Sequence, residues 1–160
     1  MAQATDGNWQ PGPLRISRTY PVRPELLFKA WTMAEHVSRF FAPAPYTVPG
    51  ATIDPRVGGT YDVGMRSPDG DEHWSRGRIV ELIPNRRLVI DFDTVDENGG
   101  SLFRALTALD LVEVPEGTRL DILQSYTVFD AERARPMIGG SPIGWSMTLD
   151  QLGPVVASLV

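Results

Sequence analysis

No cysteine occurs in this chain. Disulfide bridges, thiolate nucleophiles and cysteine-ligated zinc are therefore excluded. Histidine is nearly as scarce, with two in 160 residues, and no His-rich spacing of the kind a metal site needs occurs. No apolar run approaches the ~20 residues of a membrane-spanning helix. The opening Met1-Ala-Gln-Ala-Thr-Asp6 has neither a basic start nor an apolar stretch. No secretory signal is expected, and a cytoplasmic location is the default. Basic charge is in deficit: 15 Lys and Arg against 20 Asp and Glu leave a net charge of -5. A nucleic-acid partner, which needs a basic face, is disfavoured. Phosphate loops, dinucleotide fingerprints and serine nucleophile elbows are also missing, and no cofactor is expected.

What is present suits one globular domain. The length allows a real core, and 42% hydrophobic with 22% charged residues is an ordinary balance. Residues 1–13 hold Gly7, Pro11, Gly12 and Pro13 without periodicity, and read as a flexible arm ahead of a domain over 14–160. Leu14 to Tyr20 alternates apolar and polar, as a half-buried strand does. Pro24-Glu25 suits a first helical turn, and Leu27, Phe28 and Trp31 supply its buried face. Thr32-Met-Ala-Glu35 has the spacing of a capping box, which predicts a second short helix carrying Val37, Phe40 and Phe41.

From Thr52 to Phe129 the pattern is strand and turn. Tyr61, Val63 and Met65 alternate with polar residues. Ser67-Pro-Asp-Gly70, Pro84-Asn85, Glu97-Asn-Gly-Gly100 and Pro115-Glu-Gly117 are the turn signals. Leu88, Ile90 and Phe92 share one strand face, and Leu120, Ile122, Gln124 and Tyr126 another. Residues 131–140 read as a loop. Ser141 is the expected N-cap and Pro142 the first turn of a terminal helix. Trp145, Leu149, Leu152 and Val156 form its apolar stripe. Gly153-Pro154 is expected to kink it near Asp150. Neighbouring strands joined by hairpins make an antiparallel sheet, and the terminal helix is the largest cover for its inner face.

This order resembles the helix-grip fold of the START and polyketide-cyclase-like superfamily. It is closest to the family named after the activator of the ninety-kilodalton heat-shock protein's ATPase. The matching stretches are Arg18-Thr-Tyr-Pro-Val-Arg-Pro-Glu-Leu-Leu-Phe-Lys-Ala-Trp31, Asp54-Pro-Arg-Val-Gly-Gly-Thr-Tyr61 and Gly77-Arg-Ile-Val-Glu-Leu-Ile-Pro-Asn-Arg-Arg-Leu88. Glu116-Gly-Thr-Arg-Leu120, Gly144-Trp145 and Leu149-Asp-Gln-Leu152 complete them. The resemblance implies an α+β fold: a curved antiparallel sheet of about six to seven strands around a long C-terminal helix. It also implies a cavity between sheet and helix that often holds a small apolar molecule, and no shared catalytic residue. Phe40-Phe41 stands where many members carry a tryptophan.

Three functions follow as expectations. The first is binding of a small apolar or aromatic ligand, with Tyr61, Met65, Phe92, Gln124, Tyr126, Trp145 and Met147 as candidate binding residues. A structure with no cavity beyond about 300 Å³ would count heavily against it. The second is a cyclase or hydrolase acting on a polyketide-like substrate, for which Asp91, Gln124 and Tyr126 are the polar candidates. The third is a chaperone-associated interaction module. A homodimer through a strand edge or the Pro-rich segment 43–49 is also conceivable. His36 is expected to be exposed or capping, and Asp69, Asp71, Glu72 and His73 to form a solvated turn rather than a cation loop. Arg66 is expected to face solvent.

Overall fold

The computed structural model describes residues 9–160. Among the described residues, seven strands and three of the four helices follow the expected order, and the helix at Ala131–Gly139 is additional. They are β1 (Leu14–Tyr20), α1 (Pro24–Thr32), α2 (Ala34–Phe40), β2 (Ala51–Ile53), β3 (Thr60–Arg66), β4 (Glu72–Ile83), β5 (Arg87–Val95), β6 (Ser101–Val114), β7 (Gly117–Val128), α3 (Ala131–Gly139) and α4 (Ser141–Ala157). The strands form one curved antiparallel sheet in the order β1-β7-β6-β5-β4-β3-β2. Each strand from β2 to β7 lies beside its sequence neighbour, as hairpin turns require, and β1 closes on β7.

Alternation sets which residues face inward. Across the sheet, Val63 pairs with Ser75, Ser75 with Thr94, Thr94 with Phe103 and Phe103 with Val128. The next inward row is Tyr61, Gly77, Phe92, Ala105 and Tyr126. Opposed residues on an antiparallel pair point to the same face. These two rows form the floor beneath the terminal helix. Gly77 is required in its row: a Cβ there would lie 2.6 Å from the Tyr61 carbonyl and 2.8 Å from the Phe92 ring.

Helix α4 lies on this face. Leu149 and Leu152 are fully buried, and Val155 and Val156 nearly so. Polar ties fix its position. Tyr20 Oη donates to the Leu149 carbonyl at 2.7 Å, and Thr148 Oγ1 donates to the Phe41 carbonyl at 2.9 Å. Gln151 Nε2 donates to the carbonyls of Phe40 and Ala42, both at 2.8 Å. The last turn of α2 is thereby joined to the middle of α4.

Several local expectations are corrected. Residues 131–139 form helix α3, not a loop. Asp130 caps it by accepting from the Arg133 amide at 3.1 Å, and Ala134 and Ile138 bury its inner face. Pro136 is tolerated because the helix has only about two and a half turns and one bond is lost. The capping box at Thr32 does not form. Thr32 ends α1 and donates back to the Phe28 carbonyl at 2.8 Å, while Met33 caps α2 without a side-chain bond. Gly140, not Ser141, is the N-cap of α4. Gly153-Pro154 does not end that helix, which extends to Ala157. His36 is buried, not exposed, because it shares the inner face of α2 with Val37 and Phe40. Its Nδ1 has no partner among the described residues.

Residues 1–8 of the expected arm lie outside the described residues. Trp9 packs against the core, and Gln10 exchanges hydrogen bonds with the backbone of Val128 at 3.1 and 3.4 Å.

Candidate functional site

A cavity of about 280 Å³ lies between the sheet and the start of α4. Its apolar wall is Phe41, Met65, Phe92, Phe103, Met137 and Trp145, with Ala105 on the floor. Gly140, Ser141 and Gly144 leave room where α3 turns into α4. The volume falls just short of the roughly 300 Å³ expected from the sequence, which counts against a drug-sized guest. An apolar void of ~150 Å³ accommodates benzene, so this one suits a compact molecule of one or two rings.

The polar side of the site is a four-member network. Gln124 Oε1 accepts from Tyr126 Oη at 2.7 Å and from Trp145 Nε1 at 3.1 Å. Gln124 Nε2 donates to Thr107 Oγ1 at 2.8 Å, and Thr107 Oγ1 donates to the Ala105 carbonyl at 3.2 Å. The indole nitrogen only donates, so it fixes which end of the amide faces it. Gln124 therefore clasps α4 to β7 across one end of the cavity. Burial pushes the Tyr126 phenol up from its ordinary value, against a smaller opposing effect from Ser141, so it stays neutral and able to donate.

The seven expected binding residues divide by position. Met65, Phe92, Gln124 and Trp145 stand in the cavity wall. Tyr126 stands behind Gln124 and holds it. Tyr61 is packed beneath, with its ring edge-on to Phe92 at 5.5 Å and its hydroxyl donating to the Trp31 carbonyl at 2.5 Å. Burial drives that phenol far above its normal range. Met147 is half-buried and outside the wall. Phe103, Phe41, Met137, Ser75 and Thr94 belong to the wall without having been singled out in sequence. Strand alternation from Ala105 and Phe92 carries the signal for Phe103 and Thr94. Met137 carries none while α3 reads as a loop.

Charged groups lie elsewhere. The wall holds no ionisable acid, base or guanidinium. Asp91 is on the outer face, 3.7 Å from Arg104 Nε. Arg66 pairs with Glu72 at 2.6 Å, and Arg76 stacks 4.4 Å from the Trp74 ring. Among the described residues, no three His, Cys, Asp or Glu side chains gather to hold a metal. No described helix is long and apolar enough to cross a membrane. A second hollow, of about 430 Å³, lies beside Trp74 on the outer face. It is larger, but Glu72, Asp96, Glu97 and Arg76 line it, so apolar molecules find little there to displace water.

A curved antiparallel sheet gripping a long C-terminal helix above an apolar cavity defines a helix-grip protein of the START and polyketide-cyclase-like class. The model of the family described as "Activator of Hsp90 ATPase homolog 1-like protein" matches residues 21–157, and the chain belongs to that family. Solved structures share the fold. A protein of Chromobacterium violaceum is 25% identical, over 91% of this chain and 98% of its own, with a TM-score of 0.76. A protein of Nitrosomonas europaea is 21% identical, over 92% and 95%, at 0.77. A member of the same family from Silicibacter pomeroyi is 19% identical, over 92% and 99%, at 0.77. No curated protein matches.

Proposed function

We propose that this protein binds a small apolar or aromatic molecule in the cavity beneath α4. The supporting observation is the cavity itself: about 280 Å³ walled by Phe41, Met65, Phe92, Phe103, Met137 and Trp145. Aromatic and thioether side chains present a polarizable, adaptable surface to an apolar guest. The sheet and helix hold that surface open. The absence of an ionisable group from the wall weighs against acid–base chemistry of the cyclase or hydrolase kind.

A neutral two-ring probe such as 2-methylnaphthalene is expected to bind one to one. For about eleven heavy atoms, a Kd on the order of 10 µM is reasonable. Ala105→Leu should weaken binding at least tenfold, because the added carbons occupy the floor of the void. Its Tm should hold or rise, since the void is filled rather than a packed region overfilled. Fluorescence titration of the wild type and variant checks both. Binding that Ala105→Leu leaves unchanged would move the ligand out of this cavity.

A further inference from the structure

Five hydroxyl or amide side chains line the cavity: Ser75, Thr94, Gln124, Ser141 and Thr148. Three of them are committed to the protein. Thr148 donates to the Phe41 carbonyl, Ser141 donates to the Met137 carbonyl at 3.4 Å, and both lone pairs of the Gln124 oxygen are taken by Tyr126 and Trp145. Ser75 and Thr94 differ. Neither side chain makes a hydrogen bond to any described residue. They are directly paired across β4 and β5, so their side chains stand next to each other on the inward face. Thr94 is 8% exposed, and what it exposes faces the cavity.

Neither hydroxyl is among the fully buried side-chain atoms that lack a partner; Ser75 is half-buried, and both residues open onto the cavity. Two such unengaged hydroxyls, adjacent on the wall of an otherwise apolar cavity, form a docking point where an incoming polar atom can take the place of water. Each hydroxyl can donate or accept, so the pair suits an oxygen that also does both. The wall has no cationic group to compensate a carboxylate or phosphate, and an unpaired charge there is expensive. His73 shares the inward face two residues along β4 but is exposed and outside the wall.

Building on the ligand-binding reading above, we infer that the cavity's ligand is a neutral oxygenated molecule. Its apolar body lies against Phe92, Phe103 and Trp145, and a hydroxyl or carbonyl oxygen rests on the Ser75–Thr94 pair. The ligand class is thus phenols, alcohols and ketones of one or two rings, rather than acids or bare hydrocarbons.

Matched probes test this. 2-Naphthol and 2-methylnaphthalene have nearly the same shape and differ in a hydroxyl against a methyl; 2-naphthoate adds a charge. Wild-type protein is expected to bind 2-naphthol about tenfold more tightly than 2-methylnaphthalene, and 2-naphthoate least. The Ser75→Ala, Thr94→Val double variant should lose that preference while holding 2-methylnaphthalene as well as the wild type or better. Thr94→Ser, which keeps the hydroxyl, should retain the preference, and unchanged Tm values establish that each variant is folded. A preference that survives in the double variant would overturn the assignment of the oxygen to this pair. So would 2-naphthoate binding most tightly. If no probe binds the wild type, the ligand-binding reading itself fails and takes this inference with it.

Discussion

Gly117→Ala is expected to cost about 4 kcal/mol or more, the range of exceptional single substitutions. Gly117 opens β7 with φ of +139°, a backbone region that side-chain-bearing residues seldom enter. A Cβ built there lies 2.2 Å from the Tyr20 carbonyl and 2.9 Å from Pro21 Cα. Neither is a flexible side-chain tip, so the backbone must move. That backbone is tied at both sides: the Val22 amide donates to the Tyr20 carbonyl at 2.8 Å, and buried Thr118 donates to the Val22 carbonyl at 2.8 Å. Tyr20 in turn holds α4 through Leu149. Strain of about 1–3 kcal/mol from the dihedral adds to the clash. Gly70→Ala is the control, since Gly70 also has positive φ, +94°, but nothing stands within 4 Å of its Cβ. Urea denaturation should show a small loss for Gly70→Ala and a large one, or no folded protein, for Gly117→Ala. Equal losses would mean that contact with Tyr20 carries none of the cost.

The second large effect is expected at Gln124. Gln124→Leu keeps the approximate volume but deprives Trp145 Nε1, Tyr126 Oη and Thr107 Oγ1 of their shared acceptor and donor. Each stranded buried group costs about 1–3 kcal/mol, less where cavity water can reach it. A total of about 3 kcal/mol is expected, which for a domain of this size lowers Tm by roughly 6–12 °C. Because the clasp joins α4 to β7, the loss should couple to Trp145. Gln124→Leu combined with Trp145→Phe should cost clearly less than the sum of the two single changes. Strict additivity in thermal unfolding would show that the indole does not depend on the amide.

The meander was legible because each strand needed only local signals: two-residue alternation and glycine, proline or asparagine at the turns. Leu102 to Val114 and Thr118 to Phe129 flank Pro115-Glu116, and the structure closes Val114 on Gly117 there. Helix α3 was missed because Pro136 and Gly139-Gly140 outweighed Asp130 and the helix-forming Ala-Glu-Arg-Ala-Arg that follows it. At Thr32 the spacing of a capping box was present, but the hydroxyl found a nearer acceptor in its own preceding turn.

The site was legible where one residue's face decides the matter. Met65 and Phe92 follow from strand alternation, and Trp145 from helical spacing. Gln124 stood out as a polar residue on an apolar face, yet its role depends on an indole 21 positions away and a threonine on the neighbouring strand. No local pattern encodes that meeting. Tyr61 shared the inward face with Met65, but its hydroxyl reaches Trp31 and places the ring under the cavity rather than in its wall. Alternation places Thr94 on the inward face beside Ser75, but no sequence signal marks the pair as unengaged; their importance comes from lacking the bonds that every other polar lining group has.

The central claim is that an apolar molecule occupies the space beside Trp145. The direct measurement is the set of tryptophan indole N–H resonances during titration with 2-methylnaphthalene. The Trp145 resonance should shift saturably to a one-to-one endpoint, because its ring lines the cavity, while Trp74 on the outer face should not move. A saturable shift at Trp74 with Trp145 unmoved, or no saturable shift at any indole, would contradict the account.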